Sequence, residues 1–528
     1  MPTSDTVIEP ISRLSRSRRF LGGVALNYVN QAVVMLVGLW LTPFLLKHIG
    51  QHDYGLWLVG LQVLSYVMLM DFGVVALLPR ETAYLTGRAI GATQEEALPV
   101  LVGRTARIVL YQTPLVAAAV AIFWFTMPAS SYEFRGPIGL ILIAFAALFP
   151  ARIFQAVLHG LQDLAFLGRN QLFTWLLSTG IMVALVFRGF GLYALAIGWV
   201  ISQVFSSGLS FARLRRRFPG VLPSRLPDLP RKALFRSLQS GFWVSMAQVA
   251  QVLLNGTDFV IIGKFLGASA VVPFSCTGKL ISVLGNQPRA LMENAAPGLS
   301  EMKTSESHQR LFQVSASLTQ SLLVFSGLVG CVVLAVNESF VKFWVGTGQY
   351  RGLLLTAAFT VNMLLRHWNT SATYSIFCFG YERRTSITTL LDGVVTLGAS
   401  VILVRSFGAI GAPVGSILGV CLVSLPGNLS ALAREGRVSL LAVVLSVWPW
   451  LWRLALLAVA SAALGKVWAT GGVPHMAARS VCTAALYSVV MLPVVMDSPL
   501  RKYFPVQIQQ RWDGLLQVLH RRMKISAC

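Results

Sequence analysis

The stretch Ala270 to Pro297, AVVPFSCTGKLISVLGNQPRALMENAAP, is long enough to cross a bilayer, yet it carries Ser275, Lys279, Ser282, Asn286, Arg289 and Glu293. These positions step alternately by four and three residues, so a helix stacks them on one side. The other sides carry mostly Val, Leu, Ile, Met and Ala. The pattern predicts a membrane helix with one wet stripe. A charge at the bilayer centre costs about 2.5–3.5 kcal/mol even on the lenient insertion scale. Lys279, Arg289 and Glu293 turned to lipid would together cost on the order of 7–10 kcal/mol. The stripe therefore faces a water-filled cavity or partner groups, and a transporter cavity is the reading that uses it.

The rest of the chain fits that helix. Of 528 residues, 55% are hydrophobic and 12% charged, with a mean hydropathy of +0.68. That is the composition of a polytopic membrane protein. An all-α fold follows, with about fourteen transmembrane helices at 21–46, 54–79, 104–127, 137–160, 170–187, 190–211, 241–266, 270–297, 311–336, 351–378, 386–404, 410–433, 438–462 and 477–496. The N-terminal basic residues followed by the first apolar run read as a first span, since the run is too long for a signal peptide and no small-residue cleavage site ends it. The net charge of +23 comes from topology rather than from a nucleic-acid surface. With the N-terminus inside, the inner segments hold 29 Lys and Arg against 9 in the outer loops. This bias puts both termini in the cytoplasm. Five of the six cysteines lie in apolar segments with no CxxC or His pairing, so they read as small core residues rather than disulfides or metal ligands.

The longest inner loop, with RLRRRFPG and PSRLPDLPRK, is expected to be a basic tether beside an anionic leaflet. It also divides the chain. Span 1 ends in LLKHIG and span 7 in IGKFLG, pairing Lys47 with Lys264 and Gly50 with Gly267; LHGLQD leaves span 4 as CFGYE leaves span 10. This ordered repeat predicts an N-lobe at 1–212, a linker at 213–240, a C-lobe at 241–435, two appended spans within 436–500 and a basic tail at 501–528. Both halves enter the membrane in the same sense, so the two six-helix lobes would be related by an axis along the membrane normal, around a central cavity.

Further stripes support a cavity. Span 4 carries Arg152, Gln155, His159 and Gln162; span 7 carries Gln248, Gln251, Asn255 and Asp258; span 10 carries Asn362, Arg366, Asn369 and Thr373. All step by three and four. Such positions either line a wet path or glue helices together at about 0.6 kcal/mol per hydrogen bond. The candidate substrate-binding residues are Lys279, Arg289, Arg366, Arg152, Asn286, Gln248 and Asn255, because Arg offers bidentate contacts to phosphate oxygens and Lys a point charge. Arg289 and Glu293 are also placed to neutralise each other at i,i+4. Glu293 and Asp258 are candidate ion-coupling sites. Asp71 is expected to pair with Arg80 or Arg104, and His159 and His367 read as hydrogen-bonded structural histidines.

Span 1 to span 2 reads LTPFLLKHIGQHDYGLWLVGLQVLSYVMLMDFGVVALLPRETA, and the second half offers TDFVIIGKFLG followed by a helix ending in AAPGLSEM. The sequence Tyr54-Gly55-Leu56-Trp57, then Asp71-Phe72-Gly73, then Arg80 resembles bacterial polysaccharide transporters. These are the O-antigen-type flippases of the multidrug/oligosaccharidyl-lipid/polysaccharide (MOP) exporter superfamily, to which the MATE-type multidrug exporters also belong. The resemblance covers about residues 20–435. It implies movement of an undecaprenyl-diphosphate-linked oligosaccharide, an O-antigen or exopolysaccharide repeat unit, across the bacterial inner membrane by alternating access. It also implies membrane lipids and polysaccharide-assembly proteins as partners, and neither nucleic acid, cofactor nor metal. The alternative in the same superfamily is a multidrug exporter of organic cations, which the excess of intramembrane Arg and Lys disfavours. An enzyme is not expected: the outer loops are short, and no GxSxG, HExxH or P-loop is present.

Overall fold

The computed structural model describes residues 13–87, 98–126, 132–223, 225–288, 292, 299, 307–379, 381–467 and 472–496, with side chains described from Asn30 onward. Among these residues there is no β-strand. Among the described residues, ten helices or helix runs are long and apolar enough to cross a membrane, or eleven if one pair bent by 44° counts as a single span. The protein is a multi-pass, all-helical membrane protein. The chain forms two compact units, Met1–Val249 and Ala250–Cys528.

The first unit runs α1 (Arg13–His48), α2 (Gln51–Val67), α3 (Val74–Gly87), α4 (Leu98–Thr126), α5 (Tyr132–Leu148), α6 (Arg152–Gly160), α7 (Leu164–Phe187), α8 (Leu192–Arg217) and most of α9 (Arg231–Asn255). Its core joins Leu64, Leu78, Val109, Val116, Ile141, Phe149, Val157 and Leu195. Two of its expected spans are broken. Between α2 and α3 the chain makes a 3-10 turn at Met68–Asp71 and passes through Phe72 in the left-handed region. Gly73 follows at φ 69°, where any Cβ would lie 2.4 Å from the Gly241 carbonyl. Between α5 and α6 a 3-10 turn spans Phe149–Ala151 around Pro150, which has no backbone N–H to continue the helical ladder.

The second unit continues with α10 (Asp258–Leu266), α11 (Ala268–Leu284), α12 (His308–Val345), α13 (Leu353–Cys378), α14 (Glu382–Phe407), α15 (Gly411–Gly419), α16 (Leu425–Glu435), α17 (Leu440–Leu445), α18 (Trp448–Val467) and α19 (Val473–Met496). A π-helical stretch, Val420–Ser424, joins α15 to α16. The apolar run at 383–435 folds into a hairpin at Gly408, whose φ is 67°. Its arms touch at Gly411, Gly415 and Gly419, where an added Cβ would lie 2.3 Å from the Leu403 carbonyl carbon, 2.3 Å from Ser400 Oγ and 2.1 Å from Thr396 Oγ1. Small residues at four-residue spacing are what lets two membrane helices approach backbone to backbone.

The glycines paired in the sequence share a backbone conformation. Gly50 ends α1 at φ 93°, ψ 164°, and Gly267 ends α10 at φ 87°, ψ 156°. Gly191 and Gly408 open the tight hairpins α7–α8 and α14–α15, both at positive φ. The two pairs are the same distance apart in sequence. Glycine is required there because that φ, ψ region is closed to residues with a Cβ.

The span expected at 270–297 departs from its prediction. α11 ends at Leu284, and Gly285–Pro288 form a turn. Pro288 cannot donate to the Leu284 carbonyl, so the ladder stops there. The continuous stripe therefore shrinks to Ser275, Lys279 and Ser282, while Asn286 lies in the turn. Arg289 and Glu293 fall outside the described residues.

Candidate transport site

Among the described residues, each unit holds an arginine–aspartate pair with a nearly buried carboxylate between its helices. In the first, Arg152 Nη2 lies 3.3 Å from Asp71 Oδ2. Asp71 is 1% exposed. Its Oδ1 accepts from the Gly73 amide at 2.9 Å, and its carbonyl accepts from Gln112 Nε2 at 3.2 Å. Both residues sit at the helix breaks described above, which is why they meet: an unwound turn presents its side chain and backbone off the regular helical face. The expected pairing of Asp71 with Arg80 or Arg104 is therefore corrected. Arg104 instead donates to the Asp228 carbonyl at 3.4 Å. Arg152 is one-third exposed, packs over the Phe149 ring, and leaves Nη1 without a hydrogen-bond partner.

In the second unit Arg366 on α13 is engaged on every side. Nη1 donates to Asp392 Oδ2 at 2.5 Å and Nη2 to Oδ1 at 3.1 Å. Nη2 also reaches Ser416 Oγ at 2.9 Å, the Ser416 carbonyl at 3.1 Å and Thr396 Oγ1 at 3.2 Å. Asp392 accepts further from Thr396 at 3.0 Å and from Ser424. The glycine-lined hairpin builds this nest. It brings α14, carrying Asp392 and Thr396, against α15, carrying Ser416, and the π-helical stretch turns Ser424 onto the same carboxylate. Asp258 opens α10 after the bend at Gly256–Thr257 and lies within electrostatic reach of Arg366.

Lys279 stands differently. It is half-buried on α11, and no carboxylate lies within ion-pair distance among the described residues. Ser282 Oγ donates to the Lys279 carbonyl and Asn286 Nδ2 to the Ser282 carbonyl, both at 2.8 Å. Gln248 Oε1 and Asn362 Oδ1 are buried without a hydrogen-bond partner. The side chain of Asn255 falls outside the described part.

Other stripe positions act as interhelical glue. Asn428 on α16 donates to Asn369 Oδ1 at 2.8 Å and to Thr373 Oγ1 at 2.9 Å. Gln155 donates to Ser206 on α8. His367 Nδ1 pairs with Ser326 Oγ at 2.6 Å in the buried α12–α13 contact.

One charged residue escaped the stripe reading. Arg479, counted from sequence with an outer loop, lies inside α19 and is fully buried. It donates to the carbonyls of Ala335 and Gly465, each at 3.3 Å, and to Ser339 Oγ at 2.6 Å. Its only flag in the sequence is its place at the start of an apolar run.

The family model described as "Polysaccharide biosynthesis protein" matches residues 116–349. A Shigella flexneri protein named as an O-antigen transporter is 20% identical over 413 residues, which cover 76% of this chain and 94% of that protein. Among solved structures, the lipid II flippase MurJ in an inward closed conformation is similar in fold, with a TM-score of 0.62 at 10% identity over 90% of this chain and 99% of that one. An inward-facing multidrug resistance MATE transporter of the MOP superfamily gives a TM-score of 0.55 at 14% identity, over 78% of this chain and 98% of that one. The family match lies in the middle of the chain, the O-antigen transporter relative spans most of it, and the fold is similar to those of MurJ and a MATE transporter.

Proposed function

We propose that the protein is a flippase that carries an undecaprenyl-diphosphate-linked oligosaccharide across the bacterial inner membrane by alternating access, with both termini in the cytoplasm. The observation that carries this reading is the match to the polysaccharide biosynthesis family over residues 116–349. The state of the intramembrane cations supports it. Lys279 has no anion beside it among the described residues, and Arg152 keeps a free Nη1. An ammonium and a half-used guanidinium suit a diphosphate, which supplies several strong acceptor oxygens. Arg366 contributes differently: its donors are spent on Asp392, Thr396 and Ser416, so it organises the second unit rather than greeting the substrate. Arg289, Asn286, Gln248 and Asn255 remain candidate contacts, and Asp258 and Glu293 candidate coupling sites.

The test is the sidedness of lipid-linked glycan in a deletion strain, with and without the gene restored. Accumulation in the inner leaflet that restoration clears supports the reading. Unchanged glycan lipids with raised sensitivity to cationic drugs would turn it into an exporter of organic cations.

A further inference from the structure

The first unit contains a groove of about 860 Å³. Its walls include Ala106 and Leu110 of α4, Pro150 and Phe154 at the α5–α6 break, Phe211 of α8, and Leu222 from the linker. Arg215 is the charged residue among those lining it. The linker closes the groove because it folds back rather than hanging free. Pro223 and Pro227 press on Gly103, where an added Cβ would sit 2.3 Å from Pro227 Cδ. Arg107 reaches Asp228 Oδ1 at 3.4 Å and the Leu226 carbonyl at 3.1 Å, and Arg104 holds the Asp228 carbonyl. The basic linker is thus also packed against α4.

Its lining is mostly apolar, with Arg215 as the charged residue, so it offers few of the two to four polar partners that an ordered water needs. Its helical walls belong to the candidate membrane spans at 98–126, 134–160 and 192–217, so an apolar chain is the occupant its lining suits. Arg215, in its lining, is exposed, with no carboxylate in ion-pair range among the described residues. Arg213 is already taken by Asp163, at 2.8 Å. Apolar walls under an uncompensated basic rim match a lipid with an anionic head. We propose that this groove binds one anionic phospholipid of the surrounding bilayer, with an acyl chain between Phe154 and Phe211 and the phosphate on Arg215. The proposal stands apart from the transport reading.

Native mass spectrometry of the full-length protein, titrated with phosphatidylglycerol or phosphatidylethanolamine, tests it. The expected result is one tightly held phosphatidylglycerol, bound about tenfold more strongly than phosphatidylethanolamine, as one charge-assisted hydrogen bond allows. Arg215→Gln should abolish that headgroup preference while some binding of both lipids remains. Ala106→Phe, or the smaller filling Ala147→Leu if the first does not fold, should remove the tight adduct of either lipid at an unchanged circular dichroism spectrum. Equal retention of the two lipids by the unaltered protein overturns the proposal. So does a phosphatidylglycerol adduct that survives both fillings. Displacement of phosphatidylglycerol by undecaprenyl phosphate far below its own concentration also overturns it, by giving the groove to the carrier lipid.

Discussion

Arg366 grips Asp392 fork to fork, with Nη1–Oδ2 at 2.5 Å and Nη2–Oδ1 at 3.1 Å, and the carboxylate is 1% exposed. Two charges so held are worth little against a well-packed apolar pair, but either one alone is costly, because it keeps its desolvation and loses its partner. Arg366→Ala should therefore destabilise the protein by about 3–5 kcal/mol. The double variant Arg366→Met/Asp392→Leu should recover most of that loss. Thermal unfolding in detergent checks both. Equal melting temperatures for the single and double variants would show that the pair is not what holds these helices.

Lys279 gives the opposite expectation. With no ionic partner among the described residues, its charge contributes little to folding, so Lys279→Gln should fold and accumulate normally. Export of surface glycan should nonetheless fall at least about tenfold, the worth of one lost charge-assisted contact. Glycan display at matched protein level is the measurement. Normal display in Lys279→Gln removes this residue from the substrate path.

Asp71→Asn keeps the shape of the turn before α3 and the room for the Gly73 amide, but it strips Arg152 of its counter-charge. A loss of about 1–3 kcal/mol is expected, the cost of leaving a hydrogen-bonding group unsatisfied. Asp71→Asn/Arg152→Gln should be less damaged in stability than Asp71→Asn alone. A double variant no more stable than the single would mean that the two residues act independently.

Gly50 and Gly267 offer a paired test of the repeat. A Cβ at either meets nothing within 4 Å, so any cost of Gly50→Ala or Gly267→Ala is backbone strain, about 1–3 kcal/mol each. Gly398, mid-helix on α14 and also with open space, should respond with the reverse sign, gaining about 0.5–1 kcal/mol as Ala. Melting temperatures of the three variants decide this.

Gly415→Ala should cost about 1–3 kcal/mol for a different reason. Its Cβ would lie 2.3 Å from Ser400 Oγ and 2.5 Å from the Ser400 nitrogen, and α14 must move away to admit it. That motion carries Asp392 with it, so the variant should lose glycan export as well as stability. Full export in a protein of lowered melting temperature would separate the hairpin's packing from the Arg366 nest.

What the sequence revealed and what it hid follow from the kind of signal each residue carries. The ends of spans at Gly50 and Gly267 were legible because glycine at a helix end has one strong backbone meaning. Helical spacing put Arg152, Arg366 and Lys279 on polar stripes. Their partners were not, since a stripe names a direction and not the helix opposite. Asp71 therefore pairs with Arg152, eighty-one positions on, rather than with the nearer Arg80. The break after Leu284 could have been anticipated from Pro288, but the polar register of 275–293 argued more loudly for one continuous helix. Gly411, Gly415 and Gly419 form a small-residue ladder in plain view, whose worth appears only once α14 is seen against it.

The buried guanidinium of Arg479 sets an order for assembly in the membrane. Its acceptors belong to α12 and α18, and Arg479 itself belongs to the last described helix, so this contact forms only after those two helices have been made. Until then a permanent cation near the start of α19 has no protein oxygen to meet and must stay with water or lipid headgroups. A chain truncated before α19 lacks the contacts that Arg479 makes to the Ala335 carbonyl and Ser339 Oγ. Completion of the C-terminal helices therefore ties α12 and α18 together through one buried cation, a latch that closes late in the making of the second unit.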